Sequence, residues 1–474
     1  MLYFLARVVS GVLMIATLAV FTRLLSPHQY GVYALNIAAA SVASAILYQW
    51  LNVALNRFYP AHRDSPGAII RVATRGYWII TAITALLFIA AVPFHRKLGE
   101  DPTMLGILFL VTVALGRYSM MLQVANAQGL PLRYSLLSWA KNGISFLAGL
   151  VLILCGAREE GALVGFLVGL LIATFVFNPL RGSKALPAAV GDRLLTEMFH
   201  YGLPLALTFS ALMIVDSIDR FMIGWLSGAS AAGPYAAAYD LVQQMIGPMM
   251  NVIFLAAFPM IVHVFEHEGE ASSRIKIRAS GCAVIAIGLP AACALGVLSG
   301  DISETFFNNG FRQASAQIMP WLAFAIFIGC FKSYYLDLAF QLQHSTKYLG
   351  YIAVLMAVVN VLLNILLLPH YGILGAAWAT LAAFSVGAVA SWSVGKIVFS
   401  MPSMVRDFSK CAAACVVMST ALYALPPSNG LVGLFAKMIL GALAYLVMAW
   451  VLDVADCRDI CTPIFRRLRC ALPL

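Results

Sequence analysis

The chain has 474 residues, of which 62% are hydrophobic and 11% are charged, and its formal net charge is +10. Soluble globular domains contain about 25% charged residues, so this composition excludes a secreted enzyme and a nucleic-acid-binding module and indicates an integral membrane protein. Apolar stretches near twenty residues recur from end to end, which excludes a single-span receptor, and their continuity favours helices over a β-barrel with alternating strands.

Fourteen apolar runs, separated by charged residues or turn clusters, are predicted to be membrane-spanning helices. The chain is apolar from Leu2 and shows no small-residue cleavage pattern before Arg23, so its start is interpreted as the first span. In chain order the predicted spans are 3–25, 31–56, 76–94, 103–126, 134–156, 161–180, 200–226, 235–262, 279–299, 317–341, 348–369, 373–395, 411–425 and 432–456.

The positions of Lys and Arg predict how the chain is oriented, because positive charge near span ends stays on the cytoplasmic side. Nineteen of these residues fall in the even-numbered connections and the C-terminal tail, whereas the odd-numbered connections hold five. Both termini are therefore expected in the cytoplasm. The net positive charge is expected to face the inner membrane surface, and no nucleic-acid partner is expected.

The nine cysteines form no paired framework of the secreted kind, and most of them lie inside apolar runs. Cysteines in such positions behave as small hydrophobic residues. We therefore expect no disulfide, no metal site and no cofactor.

Polar side chains divide the predicted spans into two groups. Spans 1, 2, 4, 5, 7, 8, 10 and 11 carry polar residues at helical spacing, and the other spans carry few. Every third span is thus lipid-like, which predicts an all-α protein with two six-helix lobes around a central cavity and two further C-terminal helices. The expected parts are an N-lobe at 1–199, a C-lobe at 200–397 and an appendage at 398–474. Alternatively, the polar residues form hydrogen bonds between helices.

A short internal repeat supports the division into halves. Gly31-Val32-Tyr33-Ala34 opens span 2, and Gly233-Pro234-Tyr235-Ala236 opens span 8. Six spans separate the two copies, so the halves are expected to be parallel repeats related by an axis along the membrane normal.

Three sequence segments resemble the polysaccharide flippases of the Wzx type, in the superfamily that also holds multidrug and toxic-compound extruders and lipid II flippases. They are Thr22 to Ala34, Asp219-Arg220-Phe221 with Gly233-Pro234-Tyr235, and Asn360 to Asn364 with Pro369 and Tyr371 to Ala377. The resemblance implies transport of an undecaprenyl-pyrophosphate-linked oligosaccharide across a bacterial inner membrane. Polysaccharide assembly proteins are plausible partners, besides the membrane lipids.

The chemistry of such a cargo selects candidate site residues. Cationic side chains bind pyrophosphate, amide side chains form hydrogen bonds with sugar hydroxyls, and aromatic side chains pack against sugar rings. Each cation could instead pair with an acid from the facing lobe. The predicted substrate-binding residues are Arg117, Lys141, Lys332, Gln49, Asn52, Asn142, Trp139 and Tyr335.

The acids inside spans are expected to lie only in the predicted C-lobe. Asp216, Asp219, Asp240 and Asp337 are therefore candidates for cation coupling or gating, together with Arg220. Asp216 and Arg220 are four residues apart, and mutual neutralisation is the favoured interpretation of this pair. The membrane potential could also drive an anionic cargo outward without a coupled cation.

Two other functions remain open from the sequence. A cation-coupled multidrug exporter of the same fold would favour an acidic, aromatic cavity, whereas the first lobe is basic. A membrane glycosyltransferase or polymerase would need a catalytic carboxylate or a sizeable extramembrane loop, and the longest connections have about twenty residues. No nucleophile and base arrangement indicates an enzyme.

Overall fold

The computed structural model describes residues 2–61, 66–98, 102–177, 188–343, 345, 347–428 and 430–458, and none of these residues forms a β-strand. Each predicted span overlaps a helix, one arm of a helix or a run of consecutive helical segments, and the predicted end of span 6, at 178–180, lies outside the described residues. The helices are α1 Leu2–Leu24, α2 Pro27–Ala61, α3 Pro66–Leu98, α4 Pro102–Ala127, α5 Pro131–Leu152, α6 Arg158–Val176, α7 Ala188–Ser227, α8 Ala229–Glu268, α9 Glu270–Val297, α10 Ser299–Phe306, α11 Asn309–Phe331, α12 Leu338–Leu342, α13 Lys347–Val398, α14 Val405–Tyr423 and α15 Gly430–Leu452.

The prediction of an all-α polytopic protein with about fourteen membrane-spanning helices is confirmed. Nine segments of the described chain are long and apolar enough to cross a membrane. Two of them, Pro131–Val176 and Lys347–Val398, each contain two of the predicted spans. The protein is therefore a multi-pass membrane protein.

Helix boundaries follow from local chemistry. Before α2, the Ser26 backbone N–H donates to Gln29 Oε1 (2.9 Å) and the Gln29 N–H donates to Ser26 Oγ (3.3 Å), which is a reciprocal N-terminal cap with Pro27 at the first helical position. The Thr22 to Ala34 motif is thus in part a signal for the start of a helix.

Helix α13 breaks at Gly372, whose φ of 58° and ψ of −144° suit only glycine.

The contacts divide the chain into two compact units, 1–233 and 234–474. Helix α7 belongs to the first unit, where it packs along α2. The first residues of α8 also belong to this unit. The lobe limits predicted from the sequence, after residues 199 and 397, stay a prediction.

Glycines permit two close helix approaches in the first unit. Gly161, Gly165 and Gly169 recur every four residues on α6, and a Cβ at Gly165 would overlap the backbone of Gly149 on α5. Such small-residue rows let membrane helices pack closely. Gly31 and Gly233, at matching positions of the sequence repeat, also face each other: a Cβ at Gly233 would overlap the Pro27 carbonyl and lie 3.2 Å from the Gly31 nitrogen.

In the second unit, α14 and α15 pack on each other and on α9. Arg278 and Asp407 pair at 3.1 Å, and Lys437 and Asp301 pair at 2.6 Å. Burial raises the pKa of Asp301, but hydrogen bonds from Lys437 and the Ser428 backbone outweigh it, so this pKa lies below its usual value. These pairs fasten the last two helices to α9 and α10.

Candidate functional site

A polar pocket in the first unit surrounds Lys141. Helix α5 supplies Ser138, Lys141 and Asn142, which lie on one face because they are three and four residues apart. The cavity measures about 170 Å³. The remaining lining residues are Ser10 and Met14 from α1, Tyr118 from α4 and Tyr134 from α5.

The Lys141 ammonium has no carboxylate partner among the described residues. Its nitrogen lies 4.7 Å from the centroid of the Phe166 ring on α6, which provides cation–π attraction but no compensating charge. Ser10 Oγ, in the same pocket, is buried and has no hydrogen-bond partner in the described chain. Within a membrane protein, an ammonium without a counter-charge and a buried hydroxyl without a hydrogen bond favour binding of a ligand that is anionic and can form hydrogen bonds.

Arg117 lines a different space. Its guanidinium lies over the Tyr77 ring, 5.4 Å from the centroid, and it faces a groove of about 460 Å³ between α4 and α6. Tyr118, the next residue along α4, faces the Lys141 pocket instead. The structure therefore does not bring Arg117 and Lys141 together at one anion site.

Two of the three predicted amides, Gln49 and Asn52, lie at the seam between α2 and α4. Asn52 is 8% exposed, and its Nδ2 donates to Gln49 Oε1 and to Ser119 Oγ, both at 3.2 Å. Next along the seam, the Gln123 amide donates to Asn56. Asn142 lines the Lys141 pocket, whereas Trp139 is half-buried on α5 and is not among the lining residues.

Lys332 is paired in the second unit. Its Nζ donates to Asp337 Oδ2 at 2.8 Å, and the Ser391 hydroxyl donates to Asp337 Oδ1 at 2.8 Å. Both charged residues are 6% exposed. The sequence left open that Lys332 pairs with an acid from the facing lobe. Lys332 does pair with an acid, but this acid is Asp337 on the same chain segment.

Tyr335 is also part of the packed interior of the second unit. It is 2% exposed, its hydroxyl donates to the Pro402 carbonyl at 2.7 Å, and its ring lies against Gly281. In this position the ring contributes to helix packing. Its predicted contact with a sugar stays a prediction.

The other candidate acids lie on α7 and α8. Asp216 and Arg220 are one turn apart on α7, and Asp219 between them is buried. These residues belong to the first compact unit, and Asp240 on α8 is half-buried in the second unit. Their predicted roles in coupling or gating stay predictions.

Tyr118, Tyr134 and Phe166 were not predicted as site residues. Tyr134 continues the polar row of α5, since it precedes Ser138 by four residues and Lys141 by seven. That spacing was visible in the sequence. For Tyr118 and Phe166 the sequence holds no such signal, because their positions depend on how α4 and α6 rotate against α5.

Three comparisons with known proteins place these features in context. The family described as "Polysaccharide biosynthesis protein" matches residues 1–265. No curated protein matches the sequence.

Among solved structures, the lipid II flippase MurJ in an inward closed conformation is similar with a TM-score of 0.75 and 14% identity, over 97% of this chain and 99% of that one. A MATE protein in complex with MaD3S has a TM-score of 0.58 and 13% identity, over 83% and 93%. A transporter of the MOP superfamily from Pyrococcus furiosus has a TM-score of 0.52 and 13% identity, over 83% and 95%. At these identities the likeness shows a shared fold.

Proposed function

The chain belongs to the polysaccharide biosynthesis protein family, and we propose that it flips an oligosaccharide linked to undecaprenyl pyrophosphate across the bacterial inner membrane by alternating access. In this proposal both termini are cytoplasmic, and the cargo enters from the cytoplasmic side. Proteins of polysaccharide assembly are its proposed partners.

The observation that carries the proposal is the Lys141 pocket. A lipid-linked sugar presents hydroxyls and an anionic pyrophosphate, and burying each unpaired hydroxyl in lipid costs about 1–3 kcal/mol. The pocket offers an ammonium and a hydroxyl, neither of which has a carboxylate or hydrogen-bond partner in the part of the chain that the structure describes, and it also offers an amide. These groups match the polar end of such a cargo, while its polyprenyl tail remains in the bilayer.

The same pocket argues against an exporter of cationic drugs. A cationic ligand next to Lys141 would meet like charge without a compensating acid among the lining residues. Transport is also favoured over catalysis, since the similar structures are a flippase and transporters.

The membrane potential could drive the anionic cargo. Moving one negative charge outward across an inside-negative potential gains about 2.3 kcal/mol per 100 mV.

A reconstituted flipping assay tests the proposal. Proteoliposomes containing a defined lipid-linked oligosaccharide are compared for wild type, Lys141→Ala and Lys141→Arg. A hydrogen bond to a charged group contributes about 1.5–3 kcal/mol, so we expect Lys141→Ala to slow flipping by about ten- to a hundred-fold and Lys141→Arg to retain more of the rate.

Lys396→Ala is the matched control, because it also removes an ammonium that lies over an aromatic ring, Trp392, but at the end of α13. We expect this variant to flip at the wild-type rate. A wild-type rate for Lys141→Ala, in protein that remains monodisperse, would overturn the proposal.

A further inference from the structure

The groove between α4 and α6 is separate from the Lys141 pocket. Its walls are Met121, Leu171, Ile172 and Phe175, and Arg117 is the single charged residue among the described lining residues. Leu171 is 51% exposed and Phe175 is 75% exposed. Since these side chains are apolar and lie on a membrane-spanning helix, this side of the groove faces acyl chains.

Arg117 is poorly satisfied in this apolar setting. The guanidinium carbon lies 5.4 Å from the centroid of the Tyr77 ring, but Nη1 of Arg117 is buried and donates to no atom of the described chain. No described carboxylate pairs with Arg117. A bound anion would neutralise this charge within the membrane, and a guanidinium binds two phosphate oxygens at once.

The rest of the lining does not suit a sugar. The Thr174 hydroxyl already donates to the Leu170 carbonyl at 2.9 Å. The other lining residues have no polar side-chain atoms except the thioether of Met121. A ligand of this groove therefore presents one anionic group and hydrocarbon, not a row of hydroxyls.

The level of the groove fits a lipid headgroup. Thr174 and Phe175 belong to the last turn of α6, which ends at Val176. Arg117 lines the groove together with this last turn of α6, and arginine side chains beside helix ends extend toward the phosphate level of a bilayer. Basic pockets between membrane helices are sites for anionic lipids.

We propose that the α4–α6 groove binds one anionic phospholipid of the surrounding bilayer, with its phosphate on Arg117 and an acyl chain along Leu171, Ile172 and Phe175. This lipid is not the cargo, so the site goes beyond the proposed flipping function.

Thermal unfolding of the purified full chain in mixed micelles tests this site without any oligosaccharide. Phosphatidylglycerol is compared with phosphatidylcholine at equal concentration. Ligand binding to the folded state alone raises the unfolding midpoint, and we expect phosphatidylglycerol to raise it by about 2–5 °C. Arg117→Gln should lose this shift, measured against its own midpoint in phosphatidylcholine.

Arg193→Gln is the matched control, since the Arg193 side chain is 87% exposed and pairs with Glu197 on its own helix. It should keep the shift, as should Lys141→Ala. Ile172→Trp fills the groove without touching the charge and should lose the shift even if Arg117→Gln does not fold. Equal shifts in wild type, Arg117→Gln and Ile172→Trp, or the same shift from inorganic phosphate alone, would overturn the proposal.

Discussion

Three cations inside the predicted spans compensate for their lost hydration in two ways. Lys141 and Arg117 lie on aromatic rings, whereas Lys332 has a carboxylate partner. The sequence identified all three as ionisable groups inside spans, because charge in an apolar run is easy to recognise. It could not identify their neighbours, because these depend on helix rotation and, for Lys332, on a local change of helix type.

The Lys332 pair depends on a π-helical turn. In a regular α-helix, residues five apart point about 140° away from each other. Here the Asp337 N–H donates to the Lys332 carbonyl at 2.9 Å, five residues back, and this wider turn aligns the two side chains. The pattern of charges alone does not predict such a turn.

Breaking this pair should destabilise the protein strongly. Removing one partner leaves the other charge buried, which costs about 3–5 kcal/mol, so Lys332→Met and Asp337→Asn should each lower the unfolding midpoint of the purified protein. The double variant should lose less than the sum of the two single losses. Arg193→Gln, which breaks an exposed pair, should change the midpoint little; additive losses at Lys332 and Asp337 would contradict a direct pair.

At the scale of helices, the sequence predicted positions better than lengths. Span 3 is predicted to begin at residue 76, whereas helix α3 begins at Pro66 and therefore includes Arg71 and Arg75. Hydropathy marks where a span meets charge, whereas a helix continues for as long as its backbone hydrogen bonds are favourable. The break at Gly372 fell where the sequence predicted a connection, since proline and glycine end helices by restricting or freeing φ.

The contact between α5 and α6 positions the Lys141 ammonium, because α5 carries Lys141 and α6 carries the Phe166 ring on which the ammonium lies. A Cβ at Gly165 would overlap the Gly149 backbone, whereas a Cβ at Gly143 on α5 would meet no atom within 4 Å. Gly165→Ala should therefore separate the helices and reduce both the unfolding midpoint and the flipping rate. Gly143→Ala, the same chemical change, should leave the midpoint unchanged or raise it, because alanine favours helix by about 1 kcal/mol. Similar behaviour of the two variants would show that this helix contact does not matter.

For the whole molecule, the resemblance that the N-terminal motif indicated is confirmed at the level of the family. The period of three among polar spans and the short repeat led to the right fold class, because a membrane imposes simple rules on span length and polarity. The geometry of the candidate site could be predicted less well from the sequence. Arg117, Lys141 and Lys332 were grouped by charge, yet they lie in three different surroundings.

The distribution of Lys and Arg predicts the topology, and reporter fusions can test it. A reporter that fluoresces only in the cytoplasm should be active at Leu474 and inactive when inserted after Ser428, between α14 and α15. A reporter that is active only outside the cytoplasm should give the opposite pattern. The reverse result at both sites would invert the proposed direction of cargo entry.

Arg117 and Tyr118 are consecutive residues of one helix, yet they line two different spaces. Because α4 moves as a rigid helix, a rotation or translation that changes one of these spaces also changes the other. A ligand in one space that binds one position of α4 more tightly than another must therefore change the affinity for a ligand in the other space, and thermodynamic linkage makes this effect reciprocal. The composition of the surrounding bilayer would then act on this protein as an effector rather than as a passive solvent.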